Sequence, residues 1–300
     1  MITSAQSIAL PALKFITLNL DQTLQGKYQQ LQQIFTEISA RGEKVLVAYS
    51  GGIDSTLVAK LAHDALGAQA LAVTANSPSL LPADLDAAIE QAAWIGITHQ
   101  VVTTHELDNP NYAANPVNRC YFCKSELHDT LKPLAQELGY DMIWDGLNAD
   151  DLSDYRPGIQ AAKERGVRSP LAEVGMSKLE VRMLSQALGL PWWDKPAQPC
   201  LSSRFPYGET ITIEKLRRVG QAEQFIRQAG WRGDLRVRSS EDTAKIEVPA
   251  SKIAEFIAMI APEVIAQALR GYGFTAVVLD LEGFRSGKLN DVLPQKLTKS

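Results

Sequence analysis

The chain has 300 residues, 45% of them hydrophobic and 21% charged, with a formal net charge of −4. This length suits two domains and buries roughly 75% of the unfolded surface, so no disulfide or metal staple is required for stability. The balance of 30 basic and 34 acidic side chains gives no support to general nucleic-acid binding, and no apolar run approaches the ~20 residues that span a bilayer. The first 20 residues carry a single basic side chain, Lys14, and no cleavage pattern, so the cytoplasm is the default location.

Taken in chain order, Lys44 to Ser50 is a short apolar run of strand length. Leu57, Val58, Leu61, Ala62, Ala65 and Leu66 then share one helical face, and Gly67 is placed to cap it. Strands are expected at 70–76, 98–104 and 141–146, with helices at 82–95 and 123–138, the second stopped by Gly139. Strands and helices alternating at these lengths imply an α/β fold with a parallel sheet covered on both sides. After Gly146 the pattern is irregular, with helices expected at 159–164 and 178–188 and a Pro-rich stretch, PWWDKPAQPC, at 191–200. Trp192 and Trp193 are expected to pack where the domains meet. Beyond residue 208 come a helix (213–229), strands LRVRSS and AKIEV, a helix (253–269) and a strand FTAVVLDL, which make a small α+β unit. The expected division is an N-terminal extension at 1–35, a nucleotide-binding domain at 36–208 and an α+β domain at 209–300.

Ser50-Gly51-Gly52-Ile53-Asp54-Ser55 lies at a strand-to-helix junction. Adjacent glycines let the backbone approach a ligand with no Cβ in the way. The helix start offers unpaired N–H groups and the positive end of its dipole, a setting for phosphate. Ser50 and Ser55 add hydroxyl donors. Asp54 repels phosphate directly, and a bound Mg²⁺ would reconcile the two. A Walker A loop and a G-x-G-x-x-G after the first strand are both absent, and Gly283 to Lys288 has one residue too few for the former and reads as a turn.

Cys120, Cys123 and Cys200 are the only cysteines, too few and too odd in number for a disulfide scaffold. A C-x-x-C fits zinc, redox and iron–sulfur sites alike, and zinc would need a fourth ligand such as His128. From Glu214 to Arg238 seven basic residues face three acidic ones, either as a solvated face or as an anion site. Arg204, Arg236 and Arg238 are the candidates for phosphate and carboxylate, since guanidinium forks match both. Arg236 and Arg238 share one strand face. Glu223 is expected to orient them or to act near the leaving group.

SGGIDS resembles the PP-loop of ATP pyrophosphatases, which adenylate a substrate and release pyrophosphate. DGLNADDLSDYRPG (145–158), CLSSRFPYG (200–208), LRVR (235–238) and LDLEGFRSGKLND (279–291) together resemble the LarE family. The resemblance implies ATP and Mg²⁺ bound at Ser50, Gly51, Gly52, Asp54 and Ser55, and a cleft that includes Asp145, Asp150, Asp151 and Asp154. It also implies sulfur insertion into a pyridinium biscarboxylate mononucleotide, on the route to the nickel-pincer cofactor of lactate racemase. The three-cysteine pattern implies a [4Fe–4S] cluster on Cys120, Cys123 and Cys200 as the sulfur carrier, with sacrifice of Cys200 sulfur as the alternative. A sulfide-donor protein and a homo-oligomer are expected partners, with neither membrane nor stable nucleic acid. A tRNA thiolase and a nucleotide-binding iron–sulfur sensor are the competing readings.

Overall fold

The computed structural model of the chain describes residues 20–153, 157–196, 199–285 and 287–292. Its first half runs α1 (Gln22–Ala40), β1 (Val45–Ala48), α2 (Ile53–Leu66), β2 (Ala70–Asn76), α3 (Pro82–Ile95) and β3 (Thr98–Thr103). It continues through α4 (Pro110–Ala113), α5 (Arg119–Leu138), β4 (Met142–Trp144), α6 (Pro157–Glu164), α7 (Pro170–Glu173) and α8 (Lys178–Ala187). The four strands are parallel in the order β3-β2-β1-β4, with Val45 opposite both Ala70 and Met142.

Alternation along the strands explains why both faces are covered. Val45, Val47, Ala70 and Ala72 point into a core shared with α1, α2 and α3, which Leu184 of α8 also joins. Leu46, Ala48, Leu71 and Val73 point the other way, onto Leu131 and Ala135 of α5 and Ala162 of α6. Helix α1 passes through residue 35 unbroken, and Leu24, Tyr28, Leu31 and Phe35 are buried in the first of these cores. Trp193 packs against the same core, and Trp192 meets Trp94 of α3 edge to face at 5.4 Å.

The second half contains α9 (Ile213–Gln228), β5 (Arg236–Ser240), β6 (Thr243–Glu247), α10 (Ile253–Met259), α11 (Pro262–Gly271) and β7 (Ala276–Leu279). Its sheet has the order β5-β6-β7, antiparallel then parallel. A separate core forms around Leu216, Val219, Val237, Ile246, Phe256 and Leu269, and Leu201 and Phe205 pack into it from ahead of residue 208.

Two expected helices are corrected. The helix expected at 253–269 is two, because Pro262 cannot donate an N–H to a preceding turn and instead starts α11. Ile260 and Ala261 are extended ahead of it, as residues before proline prefer. Helix α5 begins at Arg119, one turn before the expected Cys123. Its first residue, Arg119, is buried through polar contacts, donating to the Ser202 carbonyl at 2.9 Å, so apolar spacing did not reveal the first turn. No helix among the described residues is long and apolar enough to cross a membrane.

Candidate active site

The carboxyl ends of the parallel strands converge on one edge, where ligands of open α/β sheets bind. After β1, the Ser50–Ser55 loop closes on itself: Ser50 N–H donates to Ser55 Oγ (3.2 Å), and the two hydroxyls lie 3.1 Å apart. Ser55 Oγ and Thr56 Oγ1 both donate to the Gly52 carbonyl, at 3.1 and 2.8 Å. Gly51 has φ +69°, a backbone region that disfavours side chains, and a Cβ there would lie 2.9 Å from Ala88 Cβ of α3. Gly52 has φ −77° and would meet nothing closer than Ser50 Oγ at 3.4 Å. The loop after β4 presses on the start of α2, where a Cβ on Gly146 would lie 2.5 Å from Ser55 N.

Asp54 sits in that contact. Asn148 Nδ2 donates to its Oδ1 at 3.0 Å; Asn148 N–H donates to the buried Asp151 carboxylate and Asp151 N–H to Asn148 Oδ1, each at 3.2 Å. Burial pushes the Asp54 pKa up, Lys178 and the Asn148 bond pull against it, and Asp151 adds to it. Two neighbouring carboxylates and an amide carbonyl suit a hard cation. Asp150 accepts from Lys178 N–H (2.9 Å), and Asp145 from Ser169 Oγ (2.6 Å). Asp154 lies outside the described residues.

Cys120 and Cys123 occupy the first turn of α5 at i,i+3 spacing and so share a face. Cys200 comes to them from the far side of the cleft. Leu201 N–H donates to the Ser79 carbonyl (2.9 Å), and Tyr112 OH and Ser202 Oγ are 2.6 Å apart. Cys120 and Cys200 are exposed and Cys123 is half-buried. Burial raises the pKa of both Cys120 and Cys123, and Cys200 is the next largest cause in each. Three cysteine sulfurs within electrostatic reach of one another are a soft donor set that a thiophilic metal would favour. Among the described residues, no three His, Cys, Asp or Glu side chains are arranged to hold a metal ion as they stand. His128 does not join the cysteines. It is fully buried with both ring nitrogens unbonded, and its pKa is pushed down to about 3 by burial, then by Lys124 and Arg165.

The arginines separate by environment. Arg204 is buried and bidentate to Glu223 at 2.8 Å twice, and it also donates to the carbonyls of Pro199 (2.8 Å) and Cys200 (3.2 Å). It clamps the Cys200 turn. Glu223 additionally accepts from Val237 N–H at 2.9 Å, which docks α9 on β5. Arg238 pairs with the buried Glu247 at 2.8 Å and donates to the Ser203 carbonyl at 3.0 Å. Arg236 stacks over Phe284 at 5.1 Å, and its pKa is lowered to about 10 by burial and by Arg204. Two other members of the basic run are tied down, Lys215 to Glu209 and Arg218 to Asp242, each at 2.7 Å.

Four residues the sequence reading missed complete the cleft: Asp84, Asn148, Lys178 and Lys195. Asp84, in the first turn of α3, has its pKa raised by burial while Lys195, Arg204 and Arg236 oppose the rise. It lies within electrostatic reach of Lys195 and of Arg204 and Arg236. In sequence it reads as an ordinary acidic residue at a helix start.

Residues 23–114 match the NAD synthase family, which covers the loop and the first three strands. The chain is 40% identical over 252 residues to pyridinium-3,5-bisthiocarboxylic acid mononucleotide synthase of Lactiplantibacillus plantarum, covering 84% of this chain and 90% of that one. It is 61% identical over 270 residues to an uncharacterized protein of Synechocystis sp., covering 90% and 99%. An uncharacterized protein of Methanocaldococcus jannaschii is 30% identical over 248 residues, covering 82% and 92%. With that extent of identity and a PP-loop on the carboxyl edge of a parallel sheet, the chain belongs to the LarE family of ATP-dependent sulfurtransferases.

Proposed function

We propose that this enzyme converts a carboxylate of pyridinium-3,5-biscarboxylic acid mononucleotide to a thiocarboxylate in two displacements. The substrate carboxylate oxygen attacks the α-phosphorus of ATP, the α–β P–O bond breaks, and pyrophosphate leaves with the electron pair. Sulfide then attacks the acyl carbon, and AMP leaves. The 40% identity to a synthase of the bisthiocarboxylate product supports this substrate. The observation that carries the reading is a run of contacts from the phosphate loop to the thiols: Lys195 donates to the Gly51 carbonyl, Asp84 feels both Lys195 and Arg204, and Arg204 donates to the Cys200 carbonyl.

In this reading Ser50, Gly51, Gly52 and Ser55 bind phosphate, and Asp54 with Asp151 would hold Mg²⁺ against the pyrophosphate oxygens. Arg236 and Arg238 face the anionic substrate, and Arg204 with Glu223 fixes Cys200. Cys120, Cys123 and Cys200 would hold a [4Fe–4S] cluster, which supplies an iron without a protein ligand and exchangeable sulfide. The division near residue 208, a homo-oligomer and a separate sulfide donor belong to the same reading. The test is anaerobic incubation with Mg·ATP and the pyridinium substrate, following pyrophosphate, AMP and product mass. Pyrophosphate release that depends on this substrate is expected. Release driven equally by unmodified tRNA, or no release at all, would overturn the assignment.

A further inference from the structure

Lys195 lies in the Pro-rich stretch that the sequence alone read as irregular connection. Its backbone is fixed at both ends, with its N–H donating to the Trp192 carbonyl (2.9 Å) and its carbonyl accepting from Arg182 Nη2 of α8 (3.1 Å). So anchored, its side chain spans the cleft to donate to the Gly51 carbonyl at 3.1 Å. Among the described residues this is the only hydrogen bond its ammonium makes, and no carboxylate forms an ion pair with it. A half-buried ammonium with three donors and one main-chain acceptor is underused. Burial pulls its pKa down, and the one opposing charge is Asp84.

Gly51 is also the residue whose left-handed backbone shapes the phosphate loop. The loop supplies hydroxyls, N–H groups and one half-buried carboxylate, but no cation of its own. Lys178 acts on the opposite flank, toward Asp54. Of these two lysines, Lys195 is the one hydrogen-bonded to the loop itself.

We propose that Lys195 is the phosphate-binding cation of the ATP site, exchanging the Gly51 carbonyl for oxygens of the β- and γ-phosphates. As the α–β bond breaks, the electron pair stays on the departing pyrophosphate, and the ammonium stabilises that charge while keeping its proton. The inference rests on the adenylation reading and adds to it a residue outside the loop. It also gives the Pro-rich segment a task, since the chain that leads into Cys200 is the chain that carries this cation.

The test compares wild type with Lys195→Met and Lys195→Arg, titrating Mg·ATP, inorganic pyrophosphate and AMP separately by calorimetry. Lys195→Met should weaken Mg·ATP and pyrophosphate about 10- to 100-fold while AMP binds as in wild type, on the scale of one charge-assisted contact. Lys195→Arg should recover most of the loss. Unchanged affinity for Mg·ATP and pyrophosphate in the Met variant would overturn the inference and leave adenylation standing. Equal weakening of all three ligands would show that Lys195 only holds the segment in place. Failure of wild type itself to bind Mg·ATP would remove the adenylation reading and this inference together. Should Lys195→Met lower the melting temperature, Lys195→Gln decides by the same three titrations.

Discussion

Gly51 and Gly52 are neighbours in one loop but answer to different constraints. At Gly51 the positive φ and the 2.9 Å approach to Ala88 Cβ would strain any side chain before a nucleotide is present. Gly51→Ala is therefore expected to lose at least about 1–2 kcal/mol of stability, the cost of a left-handed residue with a Cβ. Gly52 has ordinary backbone and open space, so Gly52→Ala should unfold like wild type yet bind Mg·ATP more weakly. Denaturant melts beside ATP titrations separate the two, and equal behaviour would show that neither glycine is there for the ligand. Asp54 gives a second residue-scale prediction, with opposite signs for fold and function. Its folded pKa is raised, so its contribution to stability is present below the ordinary carboxylate range and is lost as pH rises through the folded value. At neutral pH the half-buried charge is a liability. Asp54→Asn keeps the acceptor for Asn148 and should be more stable than wild type at pH 7, with the difference shrinking on acidification. The same change should slow adenylation by about 10²–10³-fold, the scale of one preorganised electrostatic contact. No gain in stability would mean that the carboxylate is already compensated in the free protein.

At the scale of elements, the turn carrying Cys200 is attached to α9 and β5 through the buried Glu223, and Arg238 of β5 adds a bond to the Ser203 carbonyl. Glu223 holds Arg204 by two bonds and the Val237 N–H by a third. Removing either partner leaves an uncompensated buried charge, so Arg204→Met or Glu223→Gln alone should cost about 3–5 kcal/mol. The double variant keeps an acceptor for Val237 and removes both charges, and should cost less than the two singles added. Denaturant unfolding of the four proteins closes the cycle, and simple additivity would deny the clamp. These elements also show what could be read from sequence. Strands β1 to β4 and helices α2 and α3 were visible because apolar residues recur with period two or 3.6 and glycines mark their ends. The start of α5 was not, because Arg119 is buried with a hydrogen bond to Ser202, 83 positions away. The break at Pro262 was available in the sequence but was outweighed by apolar spacing that continues across it. Lys195 and Asp84 carried no local signal. Their meaning comes from the distance between a Pro-rich stretch, a helix start and a loop that only folding brings together.

For the whole molecule, the question is why three cysteines from two remote segments come within electrostatic reach of one another. Cys120 and Cys123 ride on α5, which packs on one face of the parallel sheet, while Cys200 stands on a turn whose neighbours Leu201 and Phe205 belong to the C-terminal core. The cysteine cluster therefore depends on both halves being docked. The hydrogen bond from Leu201 to Ser79 and the contact of Tyr112 with Ser202 hold that docking next to the thiols. A sacrificial donor needs Cys200 alone and would leave the pair on α5 without a task. If instead the three act as one metal site, each single Cys→Ala variant should lose the brown chromophore, bound iron and sulfur transfer together. Mg·ATP binding should persist in all three, because none of them touches the Ser50–Ser55 loop among the hydrogen bonds that shape it. Reconstituted wild type supplied with sulfide under anaerobic conditions should form several product molecules per chain, with the intact mass of the protein unchanged. Product capped at one per chain, with dehydroalanine at position 200 and full activity in Cys120→Ala and Cys123→Ala, would establish sacrifice of Cys200 and leave the α5 pair a structural feature.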